Sequence, residues 1–135
     1  PRFGYRFAPP AGWTVNDQVP TADVRLDAPG GAGLIEVSSG PISERLDAVS
    51  YAAGWESNAV GPGQRLRVKR AGRRVLVDDQ PAYSAVYEGD GVLAIVTFIS
   101  GGSRFYVITA VFPAQGLTEG QAAVDGLVSS LKVPR

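Results

Sequence analysis

Six cations fall within ten residues of this chain: Arg65, Arg67, Lys69, Arg70, Arg73 and Arg74. Such a ribbon can meet phosphate, lipid head groups or an acidic protein surface. On a strand, Arg65, Arg67 and Lys69 share one face while Leu66 and Val68 take the other. The same charges also suit an outer strand, where Lys and Arg discourage strand-on-strand aggregation. Nucleic acid is not an expected partner. No aromatic interleaves these cations as a stacking platform requires, and thirteen basic residues balance thirteen acidic ones over the chain.

Two acidic pairs form the second constellation. Asp78 and Asp79 lie in "DDQP", and Glu88 and Asp90 in "EGDG". Paired carboxylates can bind calcium or act as the acid and base of a glycoside hydrolase. Asp and Gly beside Pro are equally what turns select, and neither stretch fits an EF-hand loop. A carboxylate-only hydrolase on Asp78, Asp79 or Glu88 is therefore the lesser reading. Tyr51 and Trp55, four apart on an expected helix, are candidates to line an apolar groove for a lipid or small molecule, or to be core.

The absences narrow the chemistry further. The chain has no His, no Cys and no Met. No Ser-His-Asp triad, imidazole base, thiolate nucleophile or disulfide framework can be built from it. "GPGQRLR" and "GGAG" lack the Gly-Lys-Ser/Thr ending of a phosphate loop. No catalytic residue, metal ligand or cofactor is assigned, and the expectation is a protein that is not an enzyme. With no Met there is no initiator, as expected of a processed form or fragment, which leaves room for a signal or membrane tether upstream of Pro1. No apolar run approaches the length of a membrane span.

The elements that must position these residues are legible from period and turn chemistry. The length of 135 residues argues for one domain over residues 1–135. Tyr5–Phe7, the turn Pro9–Gly12 and Trp13–Val15 read as an N-terminal hairpin. "VRLDAP" alternates with period two, "GGAG" turns, and "LIEVSS" is the next strand. A helix over residues 44–57 follows, with Ser43 as N-cap and Leu46, Val49 and Ala53 on one stripe. "RLRVKR" and "RRVLV" flank Ala71-Gly72 as a hairpin turn. "AYSAVYE", "VLAIVTFI" and "RFYVITAVF" continue the meander, and the last two, being the most apolar, are expected at its centre. "TEGQAAVDGLVSSL" closes the chain as a helix, with Thr118 and Gln121 at capping-box spacing and Val124, Leu127, Val128 and Leu131 facing the core. The expected class is α+β, an antiparallel sheet of about six strands with one helix after the early strands and a C-terminal helix on the sheet.

One family shares this layout and its opening motif. Gly4, Tyr5, Phe7, Pro10, Gly12 and Trp13 follow the pattern Gly-aromatic-x-Phe then Pro-x-Gly-Trp, and "QPAYSAVYE" and the closing "SSLKV" add to the likeness. On these residues the chain resembles the PsbP-like family, which includes a photosystem II extrinsic protein, small bacterial envelope lipoproteins of the LpqN type and a yeast Ran-binding protein. The resemblance implies a non-catalytic binding or assembly module that is secreted or held at the cell envelope and engages a protein or amphipathic ligand. Pro10-Ala11-Gly12 would turn the opening hairpin and Trp13 would plug it onto the core. Metal binding in photosynthetic members leans on His, which this chain lacks, so no metal site is carried over.

Overall fold

The computed structural model of the chain describes residues 5–20, 22–31, 33–41, 52–53, 55–56, 66–101 and 104–133. Among these residues there are seven strands: β1 (Thr14–Asn16), β2 (Val24–Asp27), β3 (Leu34–Pro41), β4 (Arg67–Val77), β5 (Gln80–Gly89), β6 (Val92–Gly101) and β7 (Arg104–Pro113). One α-helix, α1 (Leu117–Ser130), follows them. The strands make a single sheet in the order β1-β2-β3-β7-β6-β5-β4, and every neighbouring pair is antiparallel. The class is α+β, as expected, and β6 and β7 lie inside the sheet.

The sheet has seven strands and not about six, and the opening hairpin does not form. Gly12, at φ 83°, closes a turn in which the Trp13 N–H donates to the Pro10 carbonyl at 3.2 Å. The segments on either side of that turn go elsewhere. Arg6 exchanges backbone hydrogen bonds with Lys132 at 3.0 and 2.8 Å, beyond α1, while Thr14 pairs with Asp27 of β2. The turn was readable because only certain residues accept its angles; the pairing was not, because it joins chain ends that sequence reasoning cannot align. Trp13 does reach the core, its ring meeting Phe112 edge-on at 6.1 Å. The helix expected over 44–57 falls largely outside the described residues, where Ser43, Leu46 and Val49 also lie. Ala52, Ala53, Trp55 and Glu56 within it are helical.

Strict alternation along β6 divides the core between the two faces of the sheet. Leu93, Ile95 and Ile99 join the cluster that receives Val124, Leu127 and Leu131 from α1. Ala94, Val96 and Phe98 join Ala52, Ala85 and Tyr87 on the other face. The expected stripe of α1 therefore packs as its period dictates, Val128 being only partly buried. Its start differs from expectation. Gly116 is the N-cap with no side-chain capping bond, and Gln121 donates to Asp125 instead of folding back to Thr118.

Phe112 explains two glycines. A β-carbon on Gly33 would lie 2.5 Å from one edge of its ring, and one on Gly120 of α1 would lie 2.6 Å from the other. Only hydrogen at both positions lets β3, β7 and α1 close around that ring.

Candidate functional site: a basic outer strand

Strand β4 carries the cations, and the structure corrects how it is built. The expected hairpin at Ala71-Gly72 does not exist; Arg67–Val77 is one continuous strand at the sheet edge. Two register irregularities, between Val68 and Arg70 and between Arg70 and Arg73, absorb the extra residues. Gly72 serves close approach and not a turn. A β-carbon there would stand 1.9 Å from the Tyr83 ring, which lies across the strand at that point. A glycine inside a strand pattern is the signal for such a bulge or approach, and it competes with the turn reading in the sequence.

The register sorts the cations between two faces. Arg67 pairs opposite Glu88, Arg70 opposite Val86 and Arg73 opposite Ser84, all on the face that α1 covers further along the sheet. Arg74 stands opposite Tyr83 on the other face, with Val68 and Leu76. Arg65 lies outside the described residues. Glu88 Oε1 accepts from Arg67 Nε at 3.0 Å and its Oε2 accepts from Lys69 Nζ at 3.4 Å. These two hydrogen bonds, Arg67 first, hold the Glu88 carboxyl below the usual carboxylate range. Arg70, Arg73 and Arg74 are exposed, and among the described residues no carboxylate pairs with them. Leu76 is 71% exposed and Val68 45%, so on that other face apolar surface stands beside Arg74.

The acidic pairs resolve into turns and tethers. Asp78 and Asp79 hold φ of 50° and 62° in the two-residue turn from β4 to β5, and Asp90 and Gly91 (51° and 79°) do the same from β5 to β6. Positive φ at both positions is the mark of a type I′ hairpin, which favours Asp, Asn and Gly. Asp78 does more. Its Oδ2 accepts the Val133 N–H at 3.0 Å and its Oδ1 accepts Lys132 Nζ at 3.4 Å, tying the segment after α1 to the hairpin.

Of the aromatic pair, Tyr51 lies outside the described residues. Trp55 is half-buried, 5.0 Å from the Tyr87 ring and 5.8 Å from that of Phe98. The Tyr87 hydroxyl donates to Glu56, and burial followed by that bond pushes its pKa above the ordinary value. An open cleft of about 360 Å³ lies elsewhere, between β2, β3, β7 and the β5–β6 turn. Arg25 and Asp27 in its wall pair with each other at 3.0 Å.

A half-buried polar cluster escaped the sequence reading. Asp23 accepts from the Tyr5 hydroxyl at 3.0 Å and from Ser39 Oγ, which in turn accepts from Arg104 Nη2 at 3.1 Å. Four residues from distant parts of the chain meet there, and no spacing in the sequence signals it. Burial, then the charge of Asp23, raises the Tyr5 pKa.

No protein-family profile and no curated protein matches this chain. Solved structures do. Cyanobacterial PsbP (CyanoP) from Synechocystis sp. PCC 6803 superposes with a TM-score of 0.69 at 14% identity, over 98% of this chain and 88% of that one. LpqN of Mycobacterium tuberculosis, described as involved in cell envelope biogenesis, gives 0.71 at 13% identity over 96% and 83%. A protein of unknown function from Pseudomonas aeruginosa gives 0.59 at 15% identity over 91% and 84%. At such identities the likeness speaks for backbone architecture and not for shared residues. An antiparallel sheet closed by a C-terminal helix, matched over nearly the full chain by these structures, identifies the architecture: this protein has the PsbP-like fold.

Proposed function

We propose that this protein is a non-catalytic binding module of the PsbP-like type, acting outside the cytoplasm or at the cell envelope, whose partner-facing surface is strand β4. The observation that carries this reading is the group Arg70, Arg73 and Arg74, exposed at the sheet edge with no carboxylate paired to them among the described residues. The partner is a protein presenting acidic groups. The likeness to LpqN, described as involved in cell envelope biogenesis, supports the location. The protein acts without a cofactor.

A hydrolase built on Asp78, Asp79 or Glu88 is disfavoured by how those groups are used. Asp78 spends its oxygens on Val133 and Lys132, and Glu88 is held ionised by two cations, the reverse of a general acid with a raised pKa. The double variant Asp78→Asn, Asp79→Asn is expected to leave any detected activity untouched. A lipid or small-molecule carrier on Tyr51 and Trp55 is the alternative, and the ring contacts of Trp55 with Tyr87 and Phe98 weigh against it.

The test is affinity isolation from the native host with wild type beside the triple variant Arg70→Glu, Arg73→Glu, Arg74→Glu. A partner retained by the first and lost by the second is the expected result. An identical set of retained proteins overturns the assignment of β4.

A further inference from the structure

Among the described residues, strand β4 leaves a regular pairing edge open along its second half. The turn that joins it to β5 has two residues, Asp78 and Asp79, with Val77 opposite Gln80. In such a hairpin the residues flanking the turn exchange both backbone hydrogen bonds, and the pattern then alternates. Val77, Val75 and Arg73 therefore direct their N–H and C=O groups to β5. Those of Arg74 and Leu76 point away from the sheet. The register from Arg73 to Val77 is unbroken, so the irregularities that disrupt the first half of the strand do not reach this stretch. Both outward positions carry exposed side chains on one face, a cation with no paired carboxylate among the described residues and a leucine that is 71% exposed. An exposed apolar side chain with free backbone groups beside it is what edge strands usually avoid.

We propose that Arg74 and Leu76 receive an extended segment of the protein partner by strand addition, with an acidic side chain beside Arg74 and an apolar one beside Leu76. This rests on the reading of β4 as the partner surface and specifies how the partner is held. Main-chain hydrogen bonds supply affinity in this mode, and alternate side chains supply selectivity. The acidic residue answers the unpaired guanidinium, and the apolar residue, two positions along, covers Leu76.

A labelled peptide of about ten residues, repeating threonine, glutamate, threonine, valine, presents that pattern on one face. Residues that pair opposite Arg74 and Leu76 turn their own N–H groups toward β4, so methylating the glutamate and valine nitrogens removes those donors. Methylating the threonine nitrogens leaves them in place. Fluorescence anisotropy is expected to show binding that weakens by about tenfold or more in the first case and little in the second. The Arg74→Glu variant is expected to weaken the unmethylated peptide by a similar factor. If the two methylated peptides bind alike, strand addition is overturned while the basic surface stands. If the unmethylated peptide binds Arg74→Glu as tightly as wild type, the charge reading of β4 falls as well. No binding to the wild type at about 1 mM peptide also overturns the proposal.

Discussion

Strands β4 and β6 are nearly equal in length, eleven residues and ten, and belong to one sheet, yet they are opposites. Every residue of β6 from Leu93 to Ile99 is buried, whereas only Val77 is buried in β4. Strand β6 has no charged residue, and β4 has five cations. β6 is the richer in β-branched residues, yet both are strands, so propensity alone does not account for the difference in burial. Position in the sheet does. A central strand has both faces covered and both edges paired, which makes any charge costly. An outer strand must tolerate water and discourage the wrong neighbours, and charge does both. The contrast teaches that the basic ribbon costs the fold little where it stands.

Substitutions of matched type test that contrast most strongly. Ile95→Ala in β6 is expected to cost about 2–5 kcal/mol in urea unfolding, since it removes a wholly buried side chain from the shared core. Leu76→Ala in β4 is expected to stay within about 0.5 kcal/mol. If the two cost the same, β4 is covered and the comparison fails.

Helix α1 permits a similar test between two glycines. Replacing Gly by Ala within a helix ordinarily gains up to about 1 kcal/mol. Gly126→Ala, with nothing near the added carbon, is expected to show that gain. Gly120→Ala drives its carbon to 2.6 Å from Phe112 and is expected to lose about 1–3 kcal/mol by thermal or urea unfolding. Equal gains at both would mean that the Phe112 ring yields freely.

Alkaline pH probes the buried side of the contrast. Burial, and then the carboxylates of Asp23 and Glu56, push Tyr5 and Tyr87 above the ordinary value of 10.0. The unfolded chain therefore releases these protons first. Stability is fully present below about pH 10 and declines as the pH rises further, at about 1.4 kcal/mol per pH unit for each tyrosine. Tyrosinate absorbance should rise together with loss of the folded signal; independent titration of both rings in the folded protein would contradict their placement. The smallest effect is expected at the surface, where Arg70→Ala, Arg73→Ala and Arg74→Ala together change stability by no more than about 0.5 kcal/mol. A larger loss would show that these side chains brace the sheet.

Much of the architecture was legible without coordinates. Near-continuous apolar content placed β6 and β7 inside the sheet, helical period placed Val124, Leu127 and Leu131 on the core, and Asp and Gly at strand ends marked two of the turns. These signals are local, because each depends on geometry within a few residues. The clustering of cations around Arg70 was equally plain, and so was the turn at Gly12. That Arg67 and Lys69 share Glu88, that Arg74 looks the other way, and that Gly72 lies within one strand could not be read from spacing. Each depends on which strand lies alongside and in what register. The same holds for the pairing of Arg6 with Lys132, the Asp23 cluster and the glycines on either side of Phe112. Chain connectivity says nothing direct about contacts between residues a hundred positions apart. Only closure of the sheet and its helix around a common core decides which of them meet, since burial of apolar surface is non-directional and the final register follows from packing and hydrogen-bond complementarity.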